Sequence, residues 1–269
     1  MRKIVHTISI ATFISIAVGC HTIPRTDWPE THKKTALESY IYAQMANNTY
    51  GQKGDGYNSN KLDFVLPSDW SFTHFGNNDK GFAYSIYKKT NNNRLQEVVI
   101  AYRGTEGFTN FKDFIYGNLG TKQRKLAAAV YQKERNKLNA EGMSDVPIIL
   151  TGHSLGGALA IDTAINLEED VPYYVFNTSP RFNKLNWSEI DEKKDIRKRN
   201  SIVETGEILS FLRYPAREPY QTYTPYNCDK YYRIISSHGI EKLTRCLIEV
   251  AKLSDPTIQI EIVSKGNRD

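Results

Sequence analysis

Thr151-Gly152-His153-Ser154-Leu155-Gly156-Gly157 is the stretch on which the reading of this chain turns. It holds a G-x-S-x-G run with one further glycine. Just before it, Val146-Pro147-Ile148-Ile149-Leu150 is a short apolar run that reads as a buried strand, and residues 158–167 after it read as a helix. The serine therefore falls on a strand-to-helix turn, the context in which such a serine is a nucleophile. A turn this sharp holds the serine at strained backbone angles and leaves no room for side chains beside it. The first N–H groups of the following helix point back at the turn, where charge on a reacting oxygen would be held.

A serine hydroxyl needs a base, and the base needs an acid to orient it. On an elbow of this kind the chain order is serine, acid, histidine. The histidines are His6, His21, His32, His74, His153 and His238. Four precede the serine, and His153 adjoins it on the elbow, with its ring expected to point away. His238 remains as the base. Glu204, Glu207, Asp191, Asp195 and Asp229 are candidate acids among those in between. The acid should follow a strand directly so that it reaches the histidine from the same sheet edge. Residues 201–204 read as a strand, so Glu207 is the expected acid, whereas Asp229 has no predicted strand before it. The backbone N–H of Leu155 is one oxyanion donor. Thr105, after Ala101-Tyr102-Arg103-Gly104, is expected to supply the second. Arg103 reads as a structural charge that fixes that loop.

The rest of the chain sets the context. Its 269 residues, 40% hydrophobic and 24% charged, suit one sizeable core. A net charge of +5, spread without a basic stripe, carries no nucleic-acid footprint. Residues 1–19, a short basic start and an apolar run, read as a signal peptide. Ala17-Val18-Gly19-Cys20 resembles a bacterial lipobox, which would make Cys20 the lipidated first residue of the mature protein. The expected location is the cell envelope, on the periplasmic or surface face, with the outer membrane favoured. An exported compartment also permits Cys228 and Cys246 to pair, enclosing His238 in the loop.

Residues 20–35 read as a polar tether and 36–269 as one domain. Within it, helices are expected at 36–50, 123–139 and 239–253. Strands are expected at 82–87, 95–102, 172–177, 201–204 and 231–235. Residues 191–200 form a charge run read as solvated surface, and 214–232 a Pro- and Tyr-rich ordered loop. The acidic and amide residues of 50–60 do not match a calcium loop, so no metal or cofactor is expected. Alternating strands and helices predict an α/β fold with a mostly parallel sheet.

Ala101-Tyr102-Arg103-Gly104-Thr105 together with Gly152-His153-Ser154-Leu155-Gly156-Gly157 resembles the class 3 lipases, the fungal-type branch of the α/β-hydrolases. Asn177-Thr178-Ser179-Pro180-Arg181 looks like that family's Gly-Ser-Pro-Arg turn, and His238-Gly239-Ile240 like its histidine turn. Glu207 falls where the family's acid is usually an aspartate. The resemblance implies a central sheet flanked by helices, with a lid helix after the oxyanion strand at 107–120. It implies a lipid or acyl-ester substrate, hydrolysed through Ser154, His238 and Glu207 with Thr105 and Leu155 at the oxyanion. Two other readings stand beside it. One is a phospholipase A or lysophospholipase acting on membranes, which the anchor favours. The other is a non-catalytic lipid-binding lipoprotein. No protein partner is legible.

Overall fold

The computed structural model describes residues 27–51, 62–78, 81–104, 119–167, 169–180, 195–207, 209, 221–228 and 239–264. The signal peptide, Cys20, Thr105, the candidate lid up to Asn118, Asp191, Asp229, the strand expected at 231–235 and His238 lie outside them.

In chain order the elements are α1 (Glu30–Asn48), β1 (Leu62–Phe64), β2 (Trp70–Asn77), β3 (Ala83–Asn91), β4 (Arg94–Tyr102), α2 (Leu119–Ala140), β5 (Ile148–His153), α3 (Leu155–Asn166), β6 (Tyr173–Phe176), β7 (Arg199–Glu204), β8 (Thr222–Tyr226), α4 (Ile240–Ala251) and β9 (Ile262–Ser264). Among the described residues the main sheet has seven strands in the order β2-β3-β4-β5-β6-β7-β8, and β1 pairs with β9 in a separate ribbon. The first two pairings are antiparallel and the other four are parallel. This is the expected α/β architecture with a mostly parallel sheet.

A strand sends successive side chains to opposite faces. In β4 that alternation feeds two cores. Val99 and Ala101 join the cluster made with α1 and α4, while Val98, Ile100 and Tyr102 join the cluster of α2 and α3. With helices on both faces, β5 and β7 are buried along their whole length, as parallel strands usually are. Each such aliphatic side chain contributes roughly 1.5–3 kcal/mol by leaving water. Between α2 and α3, Arg124 meets the buried Asp162 carboxylate at 2.6 Å. Among the described residues no helix is long and apolar enough to cross a membrane.

Several boundaries differ from the sequence reading. α1 starts at Glu30 rather than within the domain at 36, and Trp28 is buried against Tyr226. The last part of the supposed tether is thus packed on the fold. The charge run is solvated at Arg197 but not at Arg199, which enters β7 and is 3% exposed. β8 lies inside the Pro- and Tyr-rich stretch read as loop. Among the described residues β8 pairs with β7 alone, and Pro225, which has no N–H to give to a ladder, sits opposite Val203. β2, at the other end of the described sheet, was not expected either.

Candidate active site

The elbow is built by β5 and α3. Ser154 sits between them at φ 54°, ψ −122°, a conformation that non-glycine residues adopt at a cost of about 1–3 kcal/mol. Its neighbours hold it there. The Ser154 N–H donates to the Phe176 carbonyl at 3.0 Å, continuing the β5–β6 ladder, and its own carbonyl accepts from Ser179 N–H at 3.1 Å and Ala158 N–H at 3.2 Å. Gly156 explains the glycine run. A Cβ there would lie 2.0 Å from the Tyr102 carbonyl oxygen at the end of β4. Although Ser154 occupies the N-cap position of α3, its side chain makes no capping bond. The hydroxyl instead lies 3.2 Å from the Ser179 hydroxyl, both residues being buried.

Backbone hydrogen bonds tie the serine to the end of β6, and β6 in turn to the end of β7. Beyond Phe176, Asn177 N–H donates to Ile202 O at 3.0 Å, and Asn177 Oδ1 accepts from Glu204 N–H at 2.7 Å. This ties the end of β6 to the end of β7. Three residues past the end of the strand, after Gly206 at φ 75°, comes Glu207. It is fully buried, and its Oε2 accepts the Leu209 N–H at 3.0 Å. The competing Glu204 directs Oε1 to the Cys228 N–H at 2.8 Å. Both carboxylates belong to the end of the sheet where β5 presents Ser154.

Leu155 opens α3, so its N–H is among those a helix leaves without an intrahelical partner. Gly104, the residue before Thr105, lies against the elbow. A Cβ on it would sit 3.3 Å from Ser154 Cβ and 2.6 Å from the His153 carbonyl. Arg103 behaves as a fixing charge: its N–H donates to Ala83 O at 2.9 Å and Nη2 to Gly81 O at 3.4 Å. The other described histidines are engaged elsewhere. His153 meets the Tyr50 hydroxyl through Nδ1 at 2.9 Å, His32 meets Pro225 O at 3.0 Å, and His74 of β2 meets Tyr84 at 3.3 Å. Cys228 and Cys246 are joined, Cα to Cα 5.8 Å, linking the segment after β8 to α4.

Two polar contacts at the elbow were not foreseen from sequence, the Ser179 hydroxyl and the Tyr50 phenol. The turn containing Ser179 was itself legible as a motif. Nothing in the local pattern around Tyr50 signals its position.

Residues 39–212 match a family model described as phospholipase-like, the Tle-like phospholipase domain. The match spans Ser154 and Glu207 and stops before His238. No curated protein matches the chain. Solved structures similar to it include the Lip2 lipase of Yarrowia lipolytica, 16% identical over 75% of this chain and 82% of that one, with a TM-score of 0.47. Another is the lipase of Rhizopus microsporus var. chinensis, 14% identical over 70% and 71%, TM-score 0.48. The mono- and diacylglycerol lipase of Aspergillus oryzae is 18% identical over 68% and 75%, TM-score 0.47. At such identities and scores these likenesses do not bear on the chemistry, which the family match and the site geometry carry.

Proposed function

The chain belongs to the phospholipase-like family with the Tle-like phospholipase domain and is a lipase/phospholipase-type ester hydrolase; on that premise we propose that it cleaves acyl esters of membrane phospholipids through Ser154, from a lipid-anchored position in the bacterial cell envelope. Ser154 Oγ attacks the ester carbonyl carbon while His238 takes the hydroxyl proton. The oxygen that becomes negative is held by the N–H groups of Leu155 and Thr105. Collapse expels the alcohol, which receives the proton from His238 and leaves an acyl-enzyme. Water then attacks with His238 again as base, releasing the fatty acid and restoring Ser154. Glu207 orients the imidazole and balances its charge.

The observation that carries this reading is the strained Ser154 backbone, with its hydroxyl free of capping duty and Gly104 packed against its Cβ. A position that costs conformational energy persists where function needs it. The buried Glu207 supports the acid assignment, and the Cys228–Cys246 pair supports an oxidising compartment. Anchoring through Cys20, after removal of residues 1–19, would hold the site near a lipid surface.

The test uses the purified protein with phospholipid vesicles and tributyrin. Ser154→Ala should abolish fatty-acid release and fluorophosphonate labelling in a folded protein, a loss on the order of 10⁴-fold or more. Wild-type protein that neither labels nor releases fatty acid would leave the non-catalytic lipid-binding reading. Glu207→Gln should lose far more activity than Glu204→Gln, and the reverse ranking would move the acid. Cys20→Ala should shift the protein from the membrane to the soluble fraction.

A further inference from the structure

Tyr50 comes from the far end of α1, remote in sequence from every motif of the site. α1 ends in a short 3-10 turn, Thr49–Gly51, held from both sides. The Asn48 side chain pairs with the backbone of Phe64, accepting its N–H at 2.9 Å and donating to its carbonyl at 2.7 Å. Thr49 Oγ1 donates to Met45 O at 2.9 Å. This fixed turn delivers Tyr50, 8% exposed, between the end of β4 and the elbow.

There its phenol oxygen accepts the Gly104 N–H at 3.1 Å. The phenol also meets His153, whose Nδ1 lies 2.9 Å away and whose carbonyl lies at 3.4 Å. Donation to Nδ1 requires a neutral His153 with its proton on Nε2. One oxygen thus joins the backbone that precedes Thr105 to the residue that precedes Ser154. The fit is tight: a Cβ on Gly104 would lie 2.3 Å from the phenol oxygen.

We infer that Tyr50 is a positioning residue of the ester-cleaving site, its phenol setting the distance between the oxyanion-binding backbone at Gly104–Thr105 and the nucleophile on the elbow. The inference rests on the proposed roles of Thr105, Leu155 and Ser154. Oxyanion donors act only when they are aimed at the place the charged oxygen will occupy, so a small shift of one arm costs rate rather than substrate binding. Removing the phenol also leaves the Gly104 N–H without this acceptor, which frees the arm to move.

The experiment compares wild type with Tyr50→Phe in kcat, KM and affinity for a trifluoromethyl ketone, which adds to the serine and places an oxyanion in the hole. The expected result is a fall in kcat of about 10- to 100-fold with KM within about twofold. Affinity for the ketone should fall by a factor close to that in kcat/KM. A folded Tyr50→Phe protein that keeps its kcat and ketone affinity, or whose loss lies in KM alone, overturns the inference. If Tyr50→Phe does not accumulate folded, 3-fluorotyrosine at position 50 weakens the acceptor at nearly constant volume. It should give the same split at about two- to fivefold, and unchanged kcat and ketone affinity overturn the inference. Failure of the functional reading is distinct, since wild type itself would then neither turn over ester nor bind the ketone.

Discussion

Gly156 in the elbow and Gly76 on strand β2 look alike by distance and differ in what surrounds them. A Cβ at Gly156 would meet the Tyr102 carbonyl oxygen at 2.0 Å, and one at Gly76 would meet the Tyr84 ring at 2.4 Å. The neighbours of Gly156 are backbone atoms at the end of β4, held by the sheet on both sides. The neighbour of Gly76 is the outer end of a half-buried side chain, whose hydroxyl makes one 3.3 Å contact to His74. The first environment cannot give way and the second can. The chemistry sits in the unyielding region because a nucleophile and its oxyanion donors must hold their geometry through the reaction.

The comparison breaks most visibly at its rigid end. Gly156→Ala should lose more than about 3 kcal/mol of stability, read by urea unfolding, and lose its activity with it. A stable, active Gly156→Ala protein would show that the end of β4 can move. The covalent tie between Cys228 and Cys246 comes next. It closes a loop with a sequence separation of 18, so replacing both cysteines by serine should cost about 3 kcal/mol by loop entropy. Adding a reductant to wild type should reproduce the loss, and an unchanged melting temperature would argue against it. Gly76→Ala should cost under about 1 kcal/mol and leave turnover within about twofold, because the Tyr84 ring can swing aside. A loss as large as that of Gly156→Ala would erase the distinction between the two regions.

The smallest expected effect lies away from the elbow, where the first half of β4 meets α1. Tyr42 donates its hydroxyl to Glu97 Oε1 at 2.9 Å, and burial pushes the Glu97 carboxyl above the usual glutamate range despite that bond and the nearby Lys89. A carboxyl whose folded pKa is raised binds its proton more tightly in the native state. Its stabilising contribution is present below the unfolded pKa and lost as pH rises through the folded one. Glu97→Gln keeps an acceptor for Tyr42 and has no charge to bury. Its melting temperature should therefore gain on wild type as pH rises from about 4 to 7. A variant that loses ground over that range would show that the ionised carboxylate is favoured by its surroundings.

Local patterns made much of the fold legible. The hairpin of β3 and β4 was marked by two strand-like runs joined by an Asn-rich turn, where Asn92 and Asn93 adopt φ 49° and 60°. The helices α2, α3 and α4 were visible in their periodicity. β8 was not, because proline and tyrosine density reads as loop and the pairing with β7 makes a strand of it. Arg199 was hidden inside a run of charges whose neighbours are solvated. Its burial follows from where β7 enters the sheet, which residue type does not encode.

The candidate site divides in the same way. The sequence by itself determined Ser154, Leu155 and the glycines around them, since a strand, a sharp turn and a helix lie within about a dozen residues and their steric needs are local. It also proposed Glu207 by its distance past a strand. Tertiary structure alone decided that Ser179 faces the nucleophile, that Glu204 is bonded to the Cys228 backbone, and that Tyr50 joins Gly104 to His153. These contacts link residues tens of positions apart. Each depends on how α1 and the strand ends pack together, and no short stretch of chain carries that information.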